Sequence, residues 1–277
     1  MNRNKLQLKA EKTEYIIFRS RNTPIDKEIT ITYAGMKLQQ VTYQKFLGVT
    51  FNEELSWNAH ISQLCVDLPK SIGIMYRISK LVPLWLKQQL YNCLFCSKLC
   101  YGALVWGTTT KTNYKKLVLL QKRVLGIYCK HQRNYANLRI APLFQRYHML
   151  RADQVCYLKI LLIIYSKKLY EPSEGARQHT YPIRQILRRP QRTRTNYGKQ
   201  TFTHQTTCIL NKLEHKFNFD CTEKAFKVQV KEVLIQENIL FDGSQKILML
   251  AMIVVGPWQS CTACILLTIK YNGITCL

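Results

Sequence analysis

The 277-residue sequence predicts an α+β chain, with a small β-rich start followed by a mostly helical remainder. Short apolar and alternating runs before residue 52 indicate strands, and apolar residues at helical spacing after residue 56 indicate helices. The charge distribution supports a division of the chain into segments, because residues 68–152 contain 15 Lys or Arg and no Asp or Glu. We predict a β-rich region 1–55, a helical domain 56–150, a basic, mostly helical extension 151–240 and a divergent apolar tail 241–277.

Period-two and short apolar patterns predict the strands of the first segment. The predicted strands are 14–19, 29–33, 36–41 and 46–51. The first is apolar throughout and predicts a buried strand, whereas the second alternates with threonine and predicts a half-buried one. Ala34 and Gly35 supply a turn between the second strand and the third.

Helical periodicity dominates after residue 56. The predicted helices are 56–78, 83–106, 111–130, 152–169 and 221–238, with a loop at 107–110. Ser56 is the expected N-cap of the first helix. Helix 111–130 has the clearest pattern, because its apolar residues recur at spacings of three and four. These residues are Leu117, Leu120, Val124 and Ile127.

The middle of the chain carries nearly all of the net charge. Segment 68–213 holds 26 Lys or Arg against 3 acids, so it contributes +23 of the total +25. A one-signed field of this size opposes compaction unless it meets a polyanion, of which nucleic acid is the commonest. Eleven irregularly spaced cysteines and an N-terminus without a signal-peptide core predict a reduced, intracellular setting in the nucleus or cytoplasm.

Helix 111–130 carries six bases opposite its apolar face, within an arc of about 140°. They are Lys111, Lys115, Lys116, Lys122, Arg123 and Lys130. An ordinary solvated helix face is the alternative interpretation, but such faces carry Glu among their Lys and this one carries none. We expect the basic face to follow a phosphate backbone, with Tyr114 and Tyr128 laying their rings against sugars or bases.

A second basic stretch, 175–200, contains no acid and is interrupted by Pro182 and Pro190, so it is not one helix. Its candidate nucleic-acid-binding residues are Arg188, Arg189, Arg192 and Arg194. Binding to RNA or DNA, a nuclear-import signal and a solvated linker are all open interpretations.

The sequence contains no recognisable catalytic or metal site. The five Asp residues are scattered, whereas two-metal nucleotidyl transfer needs clustered carboxylates. Cys93, Cys96 and Cys100 have metal-like spacing, but they share one helical face and an apolar stripe explains them. We expect no metal, no cofactor and no small-molecule substrate for this chain alone.

The uncharged segment 247–269 raises the question of a membrane span. Gly256 and Pro257 break it, and Gln259, Ser260 and Thr262 lie where a span would be most apolar. We therefore predict a buried or poorly specified tail.

Several short motifs follow one another along the chain: Asn4-Lys5-Leu6-Gln7-Leu8, Phe46-Leu47-Gly48-Val49-Thr50, Leu55-Ser56-Trp57, Tyr101-Gly102, Leu120-Gln121-Lys122-Arg123 and Pro142-Leu143-Phe144. In their order and spacing they resemble the reverse transcriptases of non-LTR (LINE-type) retrotransposons, especially the Jockey and CR1-like branch. Each motif is short, and together they extend over about residues 4–238. The resemblance implies the end of a polymerase palm, a primer grip, a helical thumb and the distal C-terminal region.

The resemblance also implies roles for individual residues. Phe46, Leu47 and Gly48 fall at the primer grip, where a residue without Cβ lets a hairpin approach the primer backbone closely. Lys12 falls at the motif D position, where a lysine is thought to help protonate the departing pyrophosphate. The family's catalytic Asp pair, which holds Mg²⁺, precedes the segment matched by Asn4. We therefore expect it outside this chain, and we expect no polymerisation by the chain alone.

These observations favour a fragment of an RNA-directed DNA polymerase that retains template–primer binding, with RNA and DNA as partners. Lys9 and Asn52 stand where the family usually has Asn and Asp, and the pattern is lost after about residue 241, which suggests a degenerate copy. One alternative is an unrelated basic, helical RNA- or DNA-binding protein. The other is a membrane-associated protein anchored by 247–269.

Overall fold

The computed structural model describes residues 13–19, 29–33, 35–129, 139–171, 188–193 and 201–239, and the backbone of 264–271 and 274–276. It confirms the α+β class. The chain divides into two compact units, Met1–Gln63 with Val255–Leu277, and Leu64–Val254. The division into segments 1–55, 56–150, 151–240 and 241–277 stays a prediction.

The first unit contains the strands. They are β1 (Thr13–Phe18), β2 (Thr32–Tyr33), β3 (Met36–Lys37), β4 (Gln39–Gln40), β5 (Tyr43–Phe46), β6 (Val49–Asn52), β7 (Cys264–Tyr271) and β8 (Ile274–Cys276). One sheet has the order β4-β1-β7-β8, with β1 parallel to β4 and antiparallel to β7. β2–β3 and β5–β6 form separate hairpins. Two strands therefore come from the apolar tail, a pairing that its sequence does not indicate.

β1 is an inner strand, which explains its continuous apolar run. Ile16 and Ile17 are almost fully buried. Tyr15 and Leu38 share the core with Ile17, and the half-buried Ile29 packs against this cluster. The predicted strand 14–19 is confirmed to within one residue. The predicted strand 29–33 is shorter than expected, because only Thr32 and Tyr33 pair across the turn at Gly35. The predicted strand 36–41 is divided into β3, which pairs with β2, and β4, which pairs with β1.

The single strand predicted over 46–51 is wrong. The chain turns at Leu47 and Gly48, whose φ angles are 44° and 78°, so that Phe46 pairs with Val49. Two consecutive residues with positive φ make a tight turn whose twist matches that of the flanking strands. Leu47 has a Cβ and occupies this region at a steric cost, whereas Gly48 occupies it freely.

Helices dominate the second unit. The helices among the described residues are α1 (Asn58–Ile78), α2 (Leu84–Leu90), α3 (Ser97–Cys100), α4 (Ala103–Trp106), α5 (Lys111–Tyr128), α6 (Ile140–Arg146), α7 (Ala152–Ser166), α8 (Phe202–Leu213) and α9 (Glu223–Gln236). A π-helical turn, Tyr91–Cys96, joins α2 to α3, and a short 3₁₀ turn, Glu214–Lys216, follows α8. The expected cap at Ser56 is wrong, because α1 begins at Asn58. Ser56 instead exchanges two hydrogen bonds with the Asn52 side chain.

α7 is the central helix of the second unit. It packs against α4, α5 and α9, and Ile160, Leu161 and Ile164 are fully buried. Gly107, between α4 and α5, allows one of these approaches. A Cβ at Gly107 would lie 2.5 Å from the Cys156 Sγ of α7 and 2.3 Å from a carbonyl oxygen of α4. A glycine is therefore required at position 107, at the end of α4.

Candidate nucleic-acid interface

α5 has one buried face and one exposed face, as its sequence predicts. Leu117 and Val124 are fully buried, and the other two predicted apolar positions are less than a tenth exposed. The helix begins after Thr110, whose Oγ1 accepts a hydrogen bond from the Asn113 backbone N–H at 3.4 Å. Because apolar packing fixes the rotation of the helix, the opposite side faces solvent.

The outward side of α5 carries the predicted bases. Lys111, Lys115, Lys116 and Arg123 are exposed, and Lys122 is half-buried. α5 contains no Asp or Glu. Leu119 lies among the bases with 58% of its surface exposed, and Lys130 lies outside the described residues. We call the five described bases the α5 strip; at 1.5 Å per residue it extends about 18 Å along the helix axis.

The expectation that Tyr114 and Tyr128 contact nucleic acid is wrong. Both rings are buried, with 5% and 6% of their surfaces exposed. The Tyr114 hydroxyl donates to the Gly107 carbonyl at 2.7 Å, and the Tyr128 hydroxyl donates to the Lys87 carbonyl at 2.7 Å. Burial raises the pKa of both phenols, which keeps them neutral donors. These rings anchor α5 to its neighbours.

Gln121 ties α5 to two other elements. It is fully buried. Its Nε2 donates to the Tyr91 hydroxyl at 2.8 Å and to the Leu150 carbonyl at 2.9 Å, and its Oε1 accepts from the Ala152 backbone N–H at 2.8 Å. The side chain therefore satisfies three polar groups, two of them buried, and holds the start of α7 and the π-helical turn against α5.

Several carboxylates of the second unit pair with bases outside α5. These pairs are Asp67–Lys70, Asp153–Arg151, Glu171–Lys168, Glu214–Arg188 and Glu237–Lys216. The Asp153–Arg151 pair is bidentate, with N–O distances of 3.1 and 3.2 Å. These five carboxylates therefore each have a base on their own or another element, and α5 has no carboxylate of its own.

The second basic stretch is described only at 188–193. The Arg188 backbone N–H donates to Asn211 Oδ1 at 2.8 Å, and its guanidinium pairs with Glu214. Arg188 therefore attaches this segment to the end of α8. Arg189 and Arg192 are exposed. Arg194 lies outside the described residues.

The predicted primer-grip residues lie at the β5–β6 hairpin. Phe46 is 6% exposed and points into the core, whereas Leu47 at the tip is 58% exposed. His60 supports the hairpin, since its Nδ1 accepts from the Thr50 backbone N–H at 3.4 Å. Burial, with a smaller contribution from Lys45, lowers the pKa of His60 to about 4 and keeps the ring neutral. His60 therefore attaches β6 to the start of α1. Lys12, the motif D position, lies outside the described residues.

Two of the three spaced cysteines lie close together. The Sγ atoms of Cys96 and Cys100 are 3.5 Å apart, and Cys93 is exposed. A hydrogen bond from Cys96, helped by the charges of Lys159 and Lys227, lowers the pKa of Cys100 to about 7. Within the described ranges, no group of three or more His, Cys, Asp or Glu side chains could hold a metal ion.

Two features of this unit are not evident from sequence patterns. The first feature is Gln121, which lies next to Lys122 and Arg123 in the sequence. Only its position in the helical repeat indicates that it is buried. The second feature is Trp85, which is 64% exposed. Its position soon after Pro83, in a segment without Asp or Glu, is the sequence signal that could have indicated a residue in contact with a partner. In the described part of the chain, no helix is both long and apolar enough to cross a bilayer.

The chain is similar to the "Probable RNA-directed DNA polymerase from transposon BS" of Drosophila melanogaster. The two are 24% identical over 98 residues, which are 34% of this chain and 11% of that protein. No protein-family model matches the chain, and no solved structure does. The similarity relates a region of about a third of the chain to a transposon reverse transcriptase.

Proposed function

We propose that this chain is a fragment of a transposon reverse transcriptase and that it holds template–primer nucleic acid through the α5 strip. The observation that carries the proposal is a helix rigidly fixed by its apolar face whose outward face has five bases and no acid. The similarity to a transposon RNA-directed DNA polymerase supports this function. RNA and DNA are then the partners, in the nucleus or cytoplasm.

The length of the α5 strip suits a duplex. A duplex carries one negative charge per about 1.7 Å of its axis, so a strip of about 18 Å runs beside roughly ten phosphates. Lysine is a flexible point charge, and contacts with backbone phosphates carry no direct sequence information. Binding through this strip should therefore depend strongly on salt and little on sequence.

The proposal assigns binding to this chain and assigns it no nucleotidyl transfer. Its five Asp residues are scattered along the sequence. The Mg²⁺-binding Asp pair of the family that the sequence resembles is not assigned to any residue here. At the β5–β6 hairpin, Leu47 and Gly48 are proposed to approach the primer backbone, because Phe46 is committed to the core.

Salt dependence of binding tests the α5 strip. Replacing Lys115, Lys116, Lys122 and Arg123 together with Gln removes four cations. Each phosphate contact contributes about 0.9 to the slope of log K against log salt. We expect the slope for a primer–template duplex to fall by about three to four, measured by fluorescence anisotropy between 50 and 300 mM salt.

A matched control separates the strip from net charge. Replacing Lys212, Lys224, Lys227 and Lys231, which are exposed on α8 and α9, with Gln removes the same charge. We expect this control to keep most of the slope. An unchanged slope in the strip variant would remove α5 from the interface. An equal loss in the control variant would show that net charge, and not the α5 strip, determines binding, and would contradict the proposal.

A further inference from the structure

The connection between α1 and α2, together with the first turn of α2, exposes a cluster of large apolar side chains. Leu81, Leu84 and Trp85 have 83%, 47% and 64% of their surfaces exposed. Trp57 and Trp106, by contrast, are 2% and 1% exposed. An indole carries a large apolar surface, and burying such surface is worth about 25 cal/mol per Å². Three large apolar side chains exposed within five residues of sequence are typical of a contact site.

The cluster is held in place by its neighbours. The Lys87 carbonyl, two residues beyond Trp85, accepts from the buried Tyr128 hydroxyl at 2.7 Å. On the other side, the Leu81 backbone N–H donates to the Ile78 carbonyl at 3.0 Å, which closes the end of α1. The backbone that carries Trp85 is therefore held in place, and little backbone entropy is lost when a ligand binds.

The charge around the cluster identifies the partner. Arg77 and Lys80 are exposed before it, Lys87 is half-buried after it, and 68–152 contains no acid. The partner must therefore offer a flat apolar face and negative charge at once. An unpaired nucleotide offers both. Its nucleobase can stack on an indole, and its phosphates can pair with the Arg and Lys side chains on either side.

We propose that Trp85 is a stacking platform for an unpaired base of the bound nucleic acid, with Arg77 and Lys80 on the adjacent phosphates. This inference rests on the proposed function and deepens it, because it names nucleic acid with a single-stranded extension as the ligand class. It also assigns the stacking role, which the sequence predicted for the buried Tyr114 and Tyr128, to an aromatic side chain that a nucleobase can reach.

Binding of the full chain to two oligonucleotides tests the platform. One is a duplex with a single-stranded overhang, and the other is the same duplex with blunt ends. We expect Trp85→Ala to weaken binding of the overhang about 5- to 100-fold and binding of the blunt duplex much less. Trp85→Phe should retain most of the affinity, and the salt slope should stay unchanged because no cation is lost.

Control measurements separate the possible failures. Tyr101→Ala removes another exposed aromatic of this unit and should have no effect. In a Trp258→Phe background, the overhang should quench the indole emission of Trp85, because the other two remaining tryptophans, Trp57 and Trp106, are buried. Equal overhang affinities for the wild type and Trp85→Ala would overturn the platform and leave the proposed function intact.

Two other outcomes overturn the inference in different ways. If the wild-type chain binds neither oligonucleotide, the proposed function fails and the platform fails with it. If Trp85→Ala reduces binding to phosphatidylserine vesicles and leaves overhang binding unchanged, the cluster contacts lipid and not nucleic acid.

Discussion

Helical phase divides neighbouring residues of α5 between structure and surface. In the motif Leu120-Gln121-Lys122-Arg123, Leu120 and Gln121 are buried, Lys122 is half-buried and Arg123 is exposed. Periodicity predicted the direction of Leu120 and Arg123, because it reports which way a side chain points. It could not predict the hydrogen bonds of Gln121 or the burial of Tyr114, since these depend on partners far along the chain.

The close pair Cys96 and Cys100 leads to a prediction at the scale of single residues. The thiolate is the nucleophile in alkylation, and the pKa of Cys100 is lowered to about 7 by the hydrogen bond from Cys96. We expect alkylation of Cys100 by iodoacetamide to reach half its maximal rate near pH 7. In Cys96→Ala the donor is lost, so the pKa should rise and alkylation at pH 7 should slow.

Tandem mass spectrometry between pH 5.5 and 9 measures this profile at each cysteine. Cys208 is an internal control, because burial raises the pKa of its thiol and its alkylation should need higher pH. Cys96→Ser keeps a hydroxyl donor and should lie between the wild type and Cys96→Ala. Identical pH profiles for Cys100 in the wild type and in Cys96→Ala would contradict this account.

At the scale of elements, the regular helices were predictable and the interrupted ones were not. The helices predicted at 111–130, 152–169 and 221–238 are confirmed to within a few residues, because each has an apolar pattern long enough to dominate. The single helix predicted over 83–106 is wrong: a π-helical turn follows α2, and Gly102 adopts a φ of 60°. Sequence periodicity does not report such local changes.

Other elements depend on contacts that sequence patterns do not encode. α6 and α8 have no counterpart among the predicted helices; α6 is short and contains Pro142, and α8 follows directly on the basic stretch. The β5–β6 turn places a leucine where Asn or Gly is usual, so the turn signal is weak. The pairing of β1 with β7 joins residues about 250 positions apart, and no local pattern predicts it.

Gln121 provides a stability prediction for the packing of α5. Gln121→Leu keeps the approximate volume of the side chain but removes its hydrogen-bonding groups. The Leu150 carbonyl, the Ala152 N–H and the Tyr91 hydroxyl then lose this partner. Since a buried unsatisfied polar group costs about 1–3 kcal/mol, we expect a loss of at least about 2 kcal/mol in the free energy of unfolding. Urea titration followed by circular dichroism measures it.

An exposed glutamine supplies the matched control. Gln89 lies on the exposed side of α2, so Gln89→Leu makes the same chemical change without burying a polar group. We expect its unfolding midpoint to lie close to that of the wild type. A Gln121→Leu variant as stable as Gln89→Leu would show that the hydrogen bonds of Gln121 do not secure α5.

At the scale of the whole molecule, charge and architecture are distributed unevenly along the chain. The β-rich start has nearly balanced charge, whereas 68–213 carries +23. The helical unit that contains this segment fixes α5 by its apolar face, so five of the 26 bases are presented together on one rigid element. This combination is the physical basis of the proposed nucleic-acid binding, and composition alone predicted its sign.

The most direct measurement is the retention of an RNA–DNA primer–template by the purified 277-residue chain at 150 mM salt. We predict saturable binding with a Kd of about 100 µM or tighter, since sequence-independent binding through phosphates falls in the range of about 10⁻⁴ to 10⁻⁶ M at this salt concentration. Absence of retention at the highest soluble protein concentration, with the helical fold confirmed by circular dichroism, would contradict the central claim.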